Sequence, residues 1–378
     1  MLGINIDYNK RIYGFDLLRA YAIFRVVNGH GGHLLNGSFM QGFPWFSSPS
    51  GVDIFFVLSG FLIGFSFISN IEENTAHQTG KLALNFWKRS LLRILPNYYV
   101  ILLINYAFCK WGIIGGSTEK FPLVLFATFT QNLISPFYDF FWESWSISVQ
   151  EWFYLSFPLI IMLFIKFKSI RTTALIAVLI YFTISLVFRL YLSLEDYDRF
   201  FWDLHFRKMI LSRLDTIGFG VLAAWFRYYY RSYWNRFAVP AFILGILMFT
   251  SVLYIPFHIN TFYTNIVFYH ITPISVALLL PLLDRIKDVK TKLGRAISHI
   301  SILSYAIYLT NLLVSSIINN NFKAYLFDNG AVNYSLYWVM VIILSYFLYI
   351  LVEKPFVTHG NKFLHTTRMM YKRVSGAP

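Results

Sequence analysis

The strongest constraint on this chain is a series of apolar runs, each close to twenty residues long, set between short segments rich in Lys and Arg. About twenty residues of α-helix cross the roughly 30 Å hydrocarbon core of a bilayer. A helix is one of the few ways to satisfy every backbone polar group there. The runs predict ten spans, at approximately 12–34, 51–70, 91–112, 144–165, 172–192, 207–226, 237–256, 262–283, 299–318 and 335–353. The predicted fold is all-α: a polytopic membrane bundle of about ten transmembrane helices. A content of 57% hydrophobic and 13% charged residues agrees, since no soluble domain needs that balance.

The net charge of +14 invites a nucleic-acid reading until the charges are placed. With the N-terminus in the cytoplasm, most of the 32 Lys and Arg residues fall on cytoplasmic segments, for example Lys81, Lys88, Arg89 and Arg93, then Arg227, Arg231 and Arg236. The opposite face is sparse in basic residues and carries Glu119, Asp139, Glu143, Glu195, Asp196 and Asp198. This asymmetry predicts an even number of spans with both termini cytoplasmic, in a bacterial inner membrane. The excess charge is then topological, and no nucleic-acid partner is expected. A spanning domain over 1–356 is followed by a basic tail, 357–378, suited to anionic lipid head groups.

No short apolar core with a small-residue cleavage site precedes the first span, so no cleavable signal peptide is expected. The longest non-spanning stretch runs from about 113 to 143, and FPLVLFATFTQNLI within it predicts a re-entrant or surface helix. The single cysteine, Cys109, excludes an intramolecular disulfide, and no metal-ligand spacing is present, so no metal is expected.

Ionisable residues inside spans are costly and mark functional candidates unless they snorkel from a helix end. Arg189 and Lys110, near span ends, fit snorkelling. The rest sort by depth. Asp16, Arg19, Arg89 and Arg93 lie near the cytoplasmic face; His30, Asp53, Glu151, Arg213 and Asp215 lie near the outer one. Arg19 and His30, in FDLLRAYAIFRVVNGH, are eleven residues apart, almost three helical turns, so they share one stripe about 16 Å long. Asp16 falls near that stripe, whereas Arg25 does not and is expected to be paired elsewhere or snorkelling. A fixed cation below and an imidazole above suit an elongated ligand with an anionic head, and coenzyme A has that shape.

The chain resembles the acyltransferase-3 family of membrane acyltransferases over most of its length. The resemblance rests on the Arg19-to-His30 spacing, on GVDIFFVLSGFLI at 51–63, KRSLLRILPNYY at 88–99 and SWSISVQEWFYLSFP at 144–158, and on SRLDTIGFGVLAAW at 212–225, SYAIYLTNLLV at 304–314 and VEKPF at 352–356. It implies transfer of an acyl group, most often acetyl, from cytoplasmic acyl-CoA to a hydroxyl outside, such as one on O-antigen or exopolysaccharide. Three positions depart from the family pattern. Ser90 replaces the first arginine of a pair, Gln150 replaces the first of two adjacent glutamates, and Asn311 stands where many members have histidine. Asn311 is therefore given no proton-transfer role.

Acyl transfer to a hydroxyl needs a base and stabilisation of the tetrahedral oxyanion, and histidine suits the first task. His30 is expected to be that base, oriented by Asp53 or Glu151. Transient acylation of His30 is the alternative. Arg213, Trp145 or Ser146 would supply oxyanion or sugar contacts, with Asp215 in the same outer cluster. Arg19, Arg89 and Arg93 are expected to hold the CoA phosphates, because the guanidinium fork matches phosphate oxygens. A transporter or flippase of an envelope precursor is the rival reading, and it predicts broken half-helices in matching positions, which are not evident. Partners expected on this reading are membrane lipid, a glycan acceptor and envelope-assembly proteins.

Overall fold

The structure, a computed structural model, describes residues 11–35, 50–73, 79–252, 254, 258–289, 291–322 and 329–358. Most of the basic tail predicted over 357–378 lies outside the described residues. Among the described residues the regular structure is entirely helical. The principal helices are α1 (Tyr13–Gly31), α2 (Ser50–Glu73), α3 (Thr79–Lys110), α5 (Ser144–Phe164), α6 (Ile170–Leu192), α8 (Leu214–Tyr229), α10 (Ala238–Ser251), α11 (Phe268–Leu283), α12 (Lys292–Ile317) and α13 (Gly330–Leu348). Short helices α4 (Leu123–Ala127), α7 (Arg199–Trp202) and α9 (Arg231–Arg236) lie between them.

Seven of the described helices are long and apolar enough to cross a membrane: α2, α3, α5, α6, α11 with its leading turn, α12 and α13. The chain is an integral membrane protein on that evidence. The other three predicted spans coincide with helices that fall short of the same measure. Helix α1 carries Asp16, Arg19 and Arg25 within 19 residues, α8 has 16 residues and α10 has 14. Helix α8 starts at Leu214 rather than 207 because Asp203–Arg207 is wound into a wide π-turn and the backbone leaves the helix again before Leu214. Helix α3 begins at Thr79, well ahead of the predicted 91, so Lys81, Lys88 and Arg89 ride on its first turns.

Helix α8 is short yet central. Every residue from Leu214 to Val221 is buried, and the helix packs against α2, α6 and α11. Glycines allow its approach to α2: a Cβ on Gly60 would come within 2.0 Å of the Ile217 carbonyl oxygen, and one on Gly220 within 2.0 Å of the Val57 carbonyl oxygen. These contacts give Gly60 a packing role. Helices α6, α10 and α13 instead turn Leu179, Val187, Ile243, Leu247, Val339 and Ile343 outward, an apolar exterior that suits lipid.

One expectation is corrected here and another narrowed. Arg189 does not snorkel: it is fully buried, donates to the Ser212 carbonyl at 2.9 Å and forms an ion pair with Asp215. Helix α6 turns it toward α8, where a carboxylate is in reach. Arg25 is likewise buried, at 2% exposure, which rules out snorkelling. The segment 121–134 forms only the five-residue α4, followed by left-handed backbone at Phe129, Asp139 and Phe141. Side chains satisfy this irregular backbone. Tyr98 donates to the Phe126 carbonyl, Tyr99 to Ala127 and Trp152 to Phe129, each at 2.9 Å.

Candidate active site

The site begins on α1, which runs alongside α12 and is pinned to it at two levels. At the first, Asp16 accepts from Ser301 at 2.9 Å, from Arg11 at 2.9 and 2.5 Å, and from Arg19 at 3.1 Å. At the second, His30 Nδ1 lies 2.5 Å from Asn311 Oδ1, and Ser315 donates to the His30 carbonyl at 3.1 Å. The stripe read from helical periodicity thus faces a single neighbouring helix.

The amide of Asn311 fixes the histidine tautomer. Its Nδ2 donates to the carbonyls of Ile307 at 3.0 Å and Tyr308 at 2.6 Å, so Oδ1 is the atom that meets the ring. An oxygen accepts, so Nδ1 carries the proton and Nε2 keeps its lone pair. The ring is set to take a proton at Nε2. The hydrogen bond that orients His30 therefore comes from Asn311, not from Asp53 or Glu151. Asp53 is buried in an ion pair with Arg213 across the α2–α8 seam. Glu151 lies among Tyr99, Tyr154 and Tyr305, with Oε1 buried and without a hydrogen-bond partner among the described residues.

A cavity of about 240 Å³ starts at Arg19 and Arg93. Ser59, Ser90, Gln150 and Tyr305 also line it, as do Ser146 and Tyr308 toward the His30 end of α12. Tyr308 and Ser146 share a 2.6 Å hydrogen bond, and Tyr308 also donates to the Glu143 carbonyl at 3.0 Å. Asn311, which holds His30, is one helical turn beyond Tyr308 on α12. The cavity, whose walls also include Phe55, Phe56, Leu58 and Ile147, thus runs from the arginines to Tyr308; neither His30 nor Asn311 lines it, and the imidazole is anchored on the next turn. Of the three arginines expected at a phosphate head, Arg19 and Arg93 face the cavity. Arg89 does not line it, and its Nε donates to the Asn85 carbonyl at 3.2 Å. Among the described residues no carboxylate forms an ion pair with Arg93, which leaves its guanidinium available to an anion. The donor set fits the phosphate end of a CoA thioester.

The outer polar residues divide. Trp145 and Ser146 sit at the His30 end, Trp145 packing edge-on to Phe56 with ring centroids 6.0 Å apart. Arg213 packs against Tyr269 at 4.7 Å, beside its Asp53 partner. Asp215 belongs to the Arg189 pair, with His270 Nε2 at 3.7 Å.

Three groups escaped sequence reasoning. Tyr308 lies in a stretch whose resemblance was noted without a role for the hydroxyl. Glu143, immediately before α5, is 3% exposed, its Oε1 has no partner among the described residues, and burial pushes its carboxyl up to about 8. Arg207 and Lys208 were absorbed into a predicted span. Their signal was present, because they form a basic pair on the face otherwise poor in Lys and Arg.

Comparison with known proteins bears on the family. A family described as an acyltransferase domain matches residues 12–353, nearly the whole chain. The chain is 30% identical over 169 residues to the peptidoglycan O-acetyltransferase OatA of Listeria monocytogenes, covering 42% of this chain and 25% of that protein. It is 27% identical over 228 residues to the O-acetyltransferase OatA of Staphylococcus aureus, covering 56% and 34%. It is also 26% identical over 237 residues to the putative peptidoglycan O-acetyltransferase YrhL of Bacillus subtilis, covering 58% and 34%. The chain therefore spans about a quarter to a third of the length of these relatives. No solved structure matches. With the Arg19-to-His30 stripe facing α12 and a family match across almost every described helix, the chain belongs to the acyltransferase-3 family.

Proposed function

We propose that this chain is an integral-membrane O-acyltransferase that moves an acyl group, most simply acetyl, from cytoplasmic acyl-CoA to a hydroxyl of a bacterial cell-surface glycan. One observation carries the reading. The cavity that opens at Arg19 and Arg93 ends at Tyr308, one turn from the asparagine that holds His30 as an Nδ1–H tautomer. Arg19 and Arg93 would bind the donor phosphates, and the cavity would receive the pantetheine arm. His30 would take the proton from the acceptor hydroxyl at Nε2 as that oxygen adds to the thioester carbonyl. The same nitrogen would return the proton to the departing thiolate, so that one ester forms and one thioester breaks. The Tyr308 hydroxyl and Ser146 lie at the end of the cavity where the oxyanion would develop.

The acceptor is proposed as a class, the envelope glycans. O-antigen and exopolysaccharide were the expectation from resemblance, and the names of the Listeria and Bacillus relatives add peptidoglycan. The basic loops argue for the donor entering from the cytoplasm and for an inner-membrane location with cytoplasmic termini.

The test is thiol release from acetyl-CoA by the purified chain in detergent, offered oligosaccharides from each of the three glycan classes. At least one should accept acetyl. His30→Ala should lower that rate by about 10²–10⁴-fold while the protein still accumulates in membranes. A His30→Ala protein of undiminished activity would refute the base. Failure of every glycan to stimulate thiol release would refute the transferase.

A further inference from the structure

We propose that Arg207 and Lys208, walled by Trp142 and Trp145, form an acceptor subsite at the His30 end of the bundle that takes an acidic sugar ring through its carboxylate. The proposal deepens the transferase reading and rests on it for the identity of the acceptor.

The subsite is assembled from three separate parts of the chain. Asp203–Arg207 is a single π-turn between α7 and α8, Trp142 and Trp145 flank the start of α5, and Asn132 ties the two together. Asn132 donates to the Trp145 carbonyl at 3.0 Å and to the Lys208 carbonyl at 2.6 Å, while its own carbonyl accepts from the Ile210 amide at 3.0 Å. The backbone segments that carry the aromatic rings and the cations are thereby held together, as a preorganised site requires.

Charge is in excess there. Arg207 donates to Asp203 at 2.5 and 3.0 Å, and Lys208 Nζ lies 2.9 Å from the same carboxylate. Two cations share one acid, and neither forms another ion pair among the described residues. A purely structural pair needs one cation per carboxylate, so the second positive charge is left for a ligand. Arg207 and Lys208 hold the Asp203 carboxyl down at about 2 despite its burial, whereas burial and the neighbouring Arg207 lower the Lys208 ammonium to about 8, so the excess positive charge is present at neutral pH and fades above about 8. Glu143, immediately before α5, is pushed by burial up to about 8, toward its uncharged form at neutral pH, and so offsets little of the excess.

The aromatic surfaces decide between anions. The Arg207 guanidinium lies 5.7 Å from the Trp145 ring centroid and the Lys208 ammonium 4.6 Å from that of Trp142. Trp145 is 5% exposed and backs the Arg207 guanidinium, whereas Trp142 is only partly buried and presents the accessible indole; Phe200 meets both Trp142 and Tyr138 edge-on, extending the wall. Indole faces pack against the C–H face of a sugar ring, and a cation beside them selects a ring that bears a carboxylate. A lipid phosphate would use the cations and leave the wall idle. The subsite adjoins the chemistry, since the charges of Arg207 and Lys208 both act on the His30 ring and that of Arg207 acts on Tyr308.

The experiment measures binding of trigalacturonic acid, and of its carboxyl-reduced counterpart, to the purified full chain by tryptophan fluorescence. The acid should bind and the reduced trisaccharide should bind about ten-fold more weakly or not at all. Arg207→Gln and Lys208→Gln should each weaken the acid by a similar factor. Lys208→Gln leaves the Arg207–Asp203 pair intact, so it reports even if Arg207→Gln fails to fold, and Lys208→Arg should restore affinity. Equal affinity for acid and reduced sugar, or Lys208→Gln binding like the unaltered chain, would overturn the subsite. So would displacement of the acid by phosphatidylglycerol nanodiscs but not by phosphatidylcholine ones, which would reassign the cations to lipid. Acetyl-CoA binding to the unaltered chain is measured in parallel. Its absence would undo the transferase reading while leaving the sugar result standing, so the two failures are separable.

Discussion

His30 and Asn311 form a donor–acceptor pair whose direction is set from the asparagine side. Because the Asn311 amide nitrogen is committed to the Ile307 and Tyr308 carbonyls, its oxygen holds the ring proton at Nδ1, 2.5 Å away. Asn311→Ala should therefore lower acyl transfer without abolishing it, by about 10–100-fold, the usual effect of losing an orienting partner. Donor affinity should hold, because Asn311 does not line the cavity. The check is a kcat and KM measurement with acetyl-CoA as the varied substrate. An unchanged kcat would show that the ring needs no such anchor.

Arg93 and Arg89 are four residues apart on α3 yet predict different behaviour. Arg93 faces the cavity beside Arg19, and Arg89 is hydrogen-bonded to its own helix. Arg93→Ala should weaken acetyl-CoA binding about ten-fold or more, and Arg89→Ala should change it by less than about two-fold. Ser90 lines the cavity, so Ser90→Arg should place a further cation there and tighten binding. Isothermal titration on purified protein separates these outcomes, and equal losses for Arg93→Ala and Arg89→Ala would contradict the cavity's geometry.

The sequence made the helices legible because apolar length is a local property: each predicted segment coincides with a helix, and seven of the described helices are long and apolar enough to cross a membrane. The Arg19–His30 stripe was legible for the same reason, being fixed by helical period alone. Pairings between helices were not. Asp53 and Arg213 read as two separate outer-end polar residues, and only the α2–α8 contact turns them into one ion pair. Asn311 was set aside because it cannot transfer a proton, although its carbonyl oxygen does the orienting. Arg207 and Lys208 were hidden by a boundary error, since a span drawn from 207 places them on a helix that begins at Leu214.

The α2–α8 seam predicts opposite outcomes for glycines of one chemistry. Gly60→Ala or Gly220→Ala would drive a methyl group to 2.0 Å from a backbone oxygen, which cannot yield as a flexible side chain does. Each should cost about 1–3 kcal/mol or abolish accumulation. Gly29→Ala meets nothing within 4 Å and replaces a glycine in the last turn of α1, so it should be neutral or stabilising by up to about 1 kcal/mol. Thermal midpoints in detergent rank the three; a destabilised Gly29→Ala alongside a tolerated Gly60→Ala would reverse the packing argument.

The Arg189–Asp215 pair is buried on both sides. Removing one partner strands a buried charge, so Arg189→Met should destabilise the protein by about 3–5 kcal/mol. The double variant Arg189→Met/Asp215→Asn should recover much of that loss, because neither charge remains. A double-mutant cycle on thermal stability measures the coupling. Additive losses would mean that Asp215 does its work elsewhere, in substrate contact, as the sequence alone suggested.

Glu143 gives stability a pH dependence with a definite sign. Burial raises its carboxyl from an ordinary value of 4.5 to about 8 in the folded protein, whereas the unfolded chain would titrate near the ordinary value. Between those limits the folded state holds a proton that the unfolded state has released, so this group's contribution to stability falls as pH rises and levels off above about 8. Glu143→Gln keeps the shape of the protonated acid and cannot ionise. The thermal midpoint of the unaltered chain should decline from pH 5 to pH 8 relative to that of Glu143→Gln, with the two close together at pH 5. The Glu143 backbone carbonyl that accepts from Tyr308 is untouched by the substitution, so the Tyr308–Ser146 end of the cavity should persist. Parallel midpoint curves for the two proteins across that range would show that the carboxyl is already ionised when folded. It would then have to be counted against the positive charge of Arg207 and Lys208.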